Sequence, residues 1–211
     1  MRWVAWAFSA RLRADLGPGG QDAGDVELPG LEPLGRQVEV QQLKAVLDTT
    51  EQTNGGHIVY LRGEPGIGKT RLTEELHRIA SLKGFDCYRA LILDFGAGKG
   101  QDAIRFLTRS LLSARPAAAE EELRVIVDHA VAQGLIGRDQ IAFLNDLLDL
   151  AQPHELRSLY SAMDNTRRNQ GKGETIASIV RRISQSTKLL LIFEDVHWAD
   201  NIVLQHLGTI A

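Results

Sequence analysis

Residues 63–70 read Gly63-Glu64-Pro65-Gly66-Ile67-Gly68-Lys69-Thr70. Before them, Ile58-Val59-Tyr60-Leu61 has the β-branched and aromatic composition of a buried strand. After them, Leu72, Leu76 and Ile79 fall at i, i+4 and i+7, one face of a helix that starts near Thr70. Strand, glycine loop and helix are the context that turns a G-x-x-x-x-G-K-[ST] match into a phosphate-binding loop. At average glycine usage such a match arises by chance in on the order of one chain in a hundred of this length. Glycines let the backbone curl so that successive N–H groups point at an anion, and the positive end of the helix dipole lies against it. Lys69 is placed to reach the β- and γ-phosphates, and the Thr70 hydroxyl to bind Mg²⁺.

Working outward, composition bounds the chain. It has 211 residues, 44% hydrophobic and 24% charged, enough for one soluble domain with a full core. A formal net charge of -3 argues against a dedicated nucleic-acid surface. The single cysteine, Cys87, excludes an internal disulfide and a multi-cysteine zinc site, and fits a reducing cytoplasm, the expected location. No apolar run approaches the roughly 20 residues needed to span a bilayer.

The N-terminal run Trp3–Ala10 is apolar, but its large side chains do not collect on one helical face, so a partly docked terminal helix is expected. Gly17 to Gly30 is rich in Gly, Pro, Asp and Gln and reads as a linker. The expected division is therefore an N-terminal segment and linker at 1–30, then one nucleotide-binding domain at 31–211. A helix follows Leu34-Gly35-Arg36 with Val40, Leu43 and Leu47 buried, and a second strand runs through Cys87 to Leu93.

From about 101 to 187 the period is helical, an insertion between the second and third strands. Breaks are expected at Arg115-Pro116, Gly134, Gln152-Pro153 and Gly171-Lys172-Gly173, and Arg167 and Arg168 are expected on a solvated face. Leu189–Phe193 is then a fully apolar strand ending in Glu194-Asp195. Two acids at the end of a buried strand, downstream of a phosphate loop, read as a Walker-B element. One holds Mg²⁺ and the next orients the attacking water.

A competing stretch is Leu93-Asp94-Phe95-Gly96-Ala97-Gly98-Lys99-Gly100. It resembles the glycine loop of an S-adenosylmethionine-dependent methyltransferase, and D-F-G is also the spelling of a kinase metal-binding motif. The kinase reading lacks an H-R-D-type catalytic loop upstream. The methyltransferase reading needs this strand to begin the nucleotide fold, yet a complete phosphate-loop unit precedes it. A strand-to-helix turn is the simpler reading.

Three segments, L-G-R-Q-V-E-V-Q-Q-L, L-R-G-E-P-G-I-G-K-T-R-L and L-L-L-I-F-E-D-V-H-W-A-D, together resemble the Orc-like AAA ATPase module of the signal-transducing P-loop ATPases. The middle segment, with L-D-F-G-A-G-K-G-Q-D-A-I-R, L-N-D-L-L-D-L and A-M-D-N-T-R-R-N, is similar to versions that follow a class III adenylate/guanylate cyclase domain in bacterial signalling proteins. The resemblance covers Leu34 to Ala211. It implies a three-layer α/β P-loop NTPase fold with a mostly parallel sheet, ATP and Mg²⁺ as cofactors, and a regulatory task beside other domains of a larger polypeptide.

Site roles carried over by the resemblance fall on Gly63, Glu64, Pro65, Gly66, Ile67, Gly68, Lys69, Thr70 and Arg71 for the nucleotide, with Arg36 near the base or ribose. Thr70 and Glu194 take the metal, while Asp195 and Lys69 take the catalytic roles. Glu194 stands where an Asp is usual. The resemblance also implies truncation at the C-terminus: a strand after Ala211 is expected to insert between the phosphate-loop strand and Leu189–Phe193, which otherwise lack a shared neighbour. Two function classes stay open, an ATP-hydrolysing enzyme and a nucleotide-dependent switch with little turnover.

Overall fold

The apolar run Leu189–Phe193 has no polar face, and a strand with no polar face must be covered on both sides. In the computed structural model, which describes residues 3–10 (backbone), 36–53, 55–93 and 100–210, this run is β4 (Lys188–Glu194), an interior strand of a four-stranded sheet. The other strands are β1 (Trp3–Ala10), β2 (Gly56–Gly63) and β3 (Phe85–Leu91), in the order β2-β1-β4-β3, with every pairing parallel.

Three corrections follow from β1. Trp3–Ala10 is a strand, not a terminal helix, and it pairs with both β2 and β4. From Val4 to Phe8 its large apolar residues alternate with alanine, the period of a strand. The register sets Val4, Trp6 and Phe8 level with His57, Val59 and Leu61, and Ala5 and Ala7 level with Ile58 and Tyr60. The expected gap between β2 and β4 is therefore filled by β1, which gives the two strands a shared neighbour and a partner for their ladder groups. The helical insertion accordingly lies between the third and fourth strands in chain order.

Alternation along β4 sorts the two cores. Leu190 and Ile192 pack with Leu43 and Leu47 of α1 (Gln37–Thr53) and Leu72 and Leu76 of α2 (Lys69–Leu82). Leu189, Leu191 and Phe193 face the opposite layer, where Ile104, Leu107, Leu144 and Ile176 are all at most 2% exposed. That layer consists of α3 (Gln101–Leu111), α4 (Glu120–Ala132), α5 (Ile141–Leu147), α6 (His154–Ala162), α7 (Asn165–Ile183) and α8 (Asn201–Ile210). The result is α/β with helices on both sides of a small parallel sheet. Each fully buried Leu, Ile or Phe contributes about 1.5–3 kcal/mol.

The expected breaks at Pro116, Gly134 and Pro153 separate helices, but Gly171 and Gly173 do not: α7 runs through both. These glycines serve close approach. A Cβ at Gly171 would lie 2.3 Å from the Phe143 ring, and one at Gly173 would lie 3.1 Å from the His206 ring. Arg168 is not a solvated residue either. Its Nε donates to the Tyr160 carbonyl (3.1 Å), its Nη2 donates to the Ser161 carbonyl (3.0 Å), and it lies over the Tyr160 ring, tying α6 to α7. Arg167 is exposed, and its backbone N–H is capped by Asp164. Among the described residues, no helix is long and apolar enough to cross a membrane.

Candidate functional site: the phosphate loop and the acidic strand end

Parallel strands bring all their C-terminal ends to one edge, and the sequence motifs converge there. Residues Glu64–Gly68 are exposed and connect β2 to α2. Gly66 and Gly68 hold φ of +78° and +86°, left-handed values that a side chain at either position would strain. The space beside each is open, so the turn itself demands glycine here, not crowding. Gly63 is different, since a Cβ there would press on Ile67 at 3.0 Å and meet the Lys69 stem at 3.6 Å.

Lys69 is 5% exposed, and its Nζ donates to the carbonyls of Gly63 (3.0 Å) and Glu64 (2.7 Å). An ammonium is thus held inside the loop at the N-terminus of a 14-residue helix whose first turn carries no acid. Helix dipole, open backbone and buried cation all favour an anion at this point. Thr70 and Arg71 are exposed in the first turn of α2. Arg36 also joins the loop: its Nη2 donates to the Ile67 carbonyl at 2.5 Å while Nη1 pairs with Glu39 at 3.4 Å. Arg36 therefore reaches the tip of the phosphate loop.

The acidic pair closes β4 at the same edge. The Glu194 carboxylate, 13% exposed, accepts from Arg89 Nε at 2.6 Å. Arg89 sits on β3 opposite Ile192, so the two side chains share a sheet face as diagonal neighbours. The Glu194 hydrogen bond, ahead of any other influence, holds the Arg89 guanidinium above its ordinary pKa. Asp195 turns the chain with φ 54° and ψ 37°, starting a 3₁₀ turn over Val196–Trp198. Its Oδ1 lies 3.8 Å from His197 Nδ1, and the His197 ring is tilted at 41° against the Trp198 ring, with centroids 4.7 Å apart. Asp200 of the H-W-A-D stretch caps α8, accepting from Val203 N–H at 2.8 Å.

The structure thus forms two groups. Lys69, Thr70, Arg71 and Arg36 surround the loop, while Glu194 and Asp195 stand two strands away across β1, about 10 Å laterally at ordinary strand spacing. Arg89 is the residue that sequence reasoning missed. Its partner lies 105 positions on, and only the adjacency of β3 and β4 identifies it.

The residues fit a nucleoside triphosphate and Mg²⁺. Magnesium takes one or two protein oxygens and shares phosphate oxygens, which suits the Thr70 hydroxyl and the Glu194 carboxylate. Among the described residues, no three His, Cys, Asp or Glu side chains converge to hold a metal by themselves. Of the competing glycine stretch, Asp94–Lys99 lies outside the described residues. Gly100 caps α3 at φ +87°, and a Cβ there would meet Ile92 at 3.0 Å and Val203 at 3.2 Å, so it is a packing glycine at a strand-to-helix turn.

Strand, phosphate loop and helix beside an acidic strand end define a P-loop nucleotide-binding module. The AAA ATPase domain family matches residues 32–211, and the chain belongs to that family. No match to the chain was found among curated proteins or among solved structures.

Proposed function

We propose that this domain is an ATP- and Mg²⁺-dependent switch in a regulatory module of a bacterial signalling protein, acting beside other domains that include an adenylate or guanylate cyclase. The observation that carries the nucleotide reading is the loop itself, with the buried Lys69 ammonium inside it and Arg36 at its tip. Lys69 binds the terminal phosphates and Thr70 holds the metal. Bound Mg²⁺ offsets phosphate charge. Arg36 is positioned to follow nucleotide occupancy, because its Ile67 contact belongs to the loop that the phosphates enter. The cyclase and signalling context rests on the sequence resemblance alone.

A hydrolytic role assigns Asp195 to orient water and Glu194 to the metal. The Arg89–Glu194 pair favours the switch over efficient turnover, since a guanidinium competes with Mg²⁺ for the same carboxylate. Calorimetric titration of ATP with and without Mg²⁺, paired with a phosphate-release assay, separates the two. Saturable, Mg²⁺-strengthened binding with slow release supports the switch. Rapid release makes the domain a hydrolase, and absence of binding overturns the assignment.

A further inference from the structure

At the other edge of the sheet the C-terminal ends of α3, α4 and α7 converge around a groove of about 680 Å³, within the roughly 300–1,000 Å³ of small-molecule pockets. Its apolar floor comes from Leu112, Ile126, Leu135 and Ile183, each only partly covered by the core. Arg182, Gln133 and His129 are exposed residues of its lining, and no acidic residue lines it. Among the described residues Arg182 forms no ion pair and is exposed.

Three helix C-termini place partial negative charge here, which by itself attracts a cation. Those carbonyls are already engaged, however. Ala114 N–H donates to Arg109 O (2.8 Å), Leu135 N–H to Ala130 O (2.9 Å), and Thr187 N–H to Ile183 O (3.0 Å). The groove therefore offers side-chain donors over an apolar floor, dominated by one guanidinium, and the complement of that surface is an amphipathic anion.

We propose that this groove is a second ligand site, specific for a small amphipathic carboxylate whose apolar body lies on Leu112, Ile126, Leu135 and Ile183 and whose head pairs with Arg182. It is remote from the phosphate loop. Gln185 and Ser186 of the groove precede β4, and Glu194 ends that strand, about 20 Å away for a seven-residue strand. Neither site needs the other, so this inference stands apart from the nucleotide reading.

The test is calorimetric titration of the whole chain with sodium decanoate and, in parallel, with decyltrimethylammonium, which has the same tail and the opposite charge. The expected result is one saturable decanoate per chain, unaffected by Mg·ATP, with the cation at least tenfold weaker. Arg182→Gln should weaken decanoate at least tenfold. Gln133→Trp, which fills the rim from an exposed position, should abolish binding, and both variants should unfold at the wild-type temperature. Equal binding of anion and cation, undiminished binding in either variant, or no saturable decanoate binding would overturn the proposal.

Discussion

The phosphate loop and the acidic end of β4 occupy the same edge of the sheet, yet they are built in opposite ways. In the loop, Lys69 is held by Gly63 and Glu64, six and five positions away, and the turn is closed by glycines within the motif. At the end of β4, Glu194 is held by Arg89, 105 positions away on a neighbouring strand. A local motif carries its own environment. A strand end takes its environment from whichever strand lies beside it, and that decides whether its acid is available to a metal.

The largest effect is expected where the motif is local. Lys69→Ala removes the ammonium held inside the loop; if it binds the terminal phosphates as proposed, ATP binding loses about 1.5–3 kcal/mol, or roughly 10- to 150-fold. Calorimetric titration of ATP reads it directly, and an unchanged affinity would show that the loop does not hold phosphate.

Next come the two kinds of glycine. Gly68→Ala strains a left-handed residue in open space, costing about 1–2 kcal/mol. Gly171→Ala gains about 1 kcal/mol of helix propensity but drives a methyl into the Phe143 ring, and overpacking costs about 1–3 kcal/mol. With a 2.3 Å approach, the clash should win by about 1–2 kcal/mol in urea unfolding. Phe143→Leu should recover part of the loss in Gly171→Ala and none of it in Gly68→Ala. Equal rescue of both would erase the contrast between local and distant constraint.

Arg89→Gln tests the strand end itself. Releasing the Glu194 carboxylate should lower the Mg²⁺ concentration for half-maximal ATP binding by a few-fold, with stability lowered by about 1 kcal/mol, because Arg89 is half-exposed while the carboxylate it leaves is not. Glu194→Gln should move the Mg²⁺ requirement the other way. If neither variant moves it, the ion pair does not govern the acid.

The smallest effect concerns a buried group whose hydrogen-bond partner lies far along the chain. His206 on α8 is 4% exposed and bonds the Asn169 carbonyl of α7 through Nε2 at 2.9 Å. Burial, first, and the Lys172 charge push its pKa below the ordinary value, against the Asn169 bond and Asp200. The unfolded chain therefore binds this proton more readily. The contribution is full above about pH 6.5, the ordinary histidine value, and is lost as pH falls through it towards the folded value. His206→Gln should flatten the stability profile between about pH 7 and 5.5, measured by urea midpoints. An identical slope in the variant would remove His206 as its source.

How much was legible follows the same division. The loop, its strand and helix, the apolar run of β4, and the breaks at Pro116, Gly134 and Pro153 were readable because each is fixed by residues within a few positions. Val4, Trp6 and Phe8 carry a period-two signal for β1, which has no counterpart on a helical face. Gly171 and Gly173 looked like a break because glycine weakens an isolated helix. Packing reverses that inference when another chain segment needs the space of a Cβ.

By itself, then, the sequence determined the phosphate loop, the placement of Lys69 and Thr70 at the start of its helix, and the two acids at the β4 end, because covalent neighbours supply those features. The tertiary structure alone decided that β1 stands between β2 and β4, that Arg89 grips Glu194, and that Arg182 overlooks an apolar groove. Strand order and helix convergence set these, and both depend on contacts between residues far apart in the chain, which no local pattern encodes.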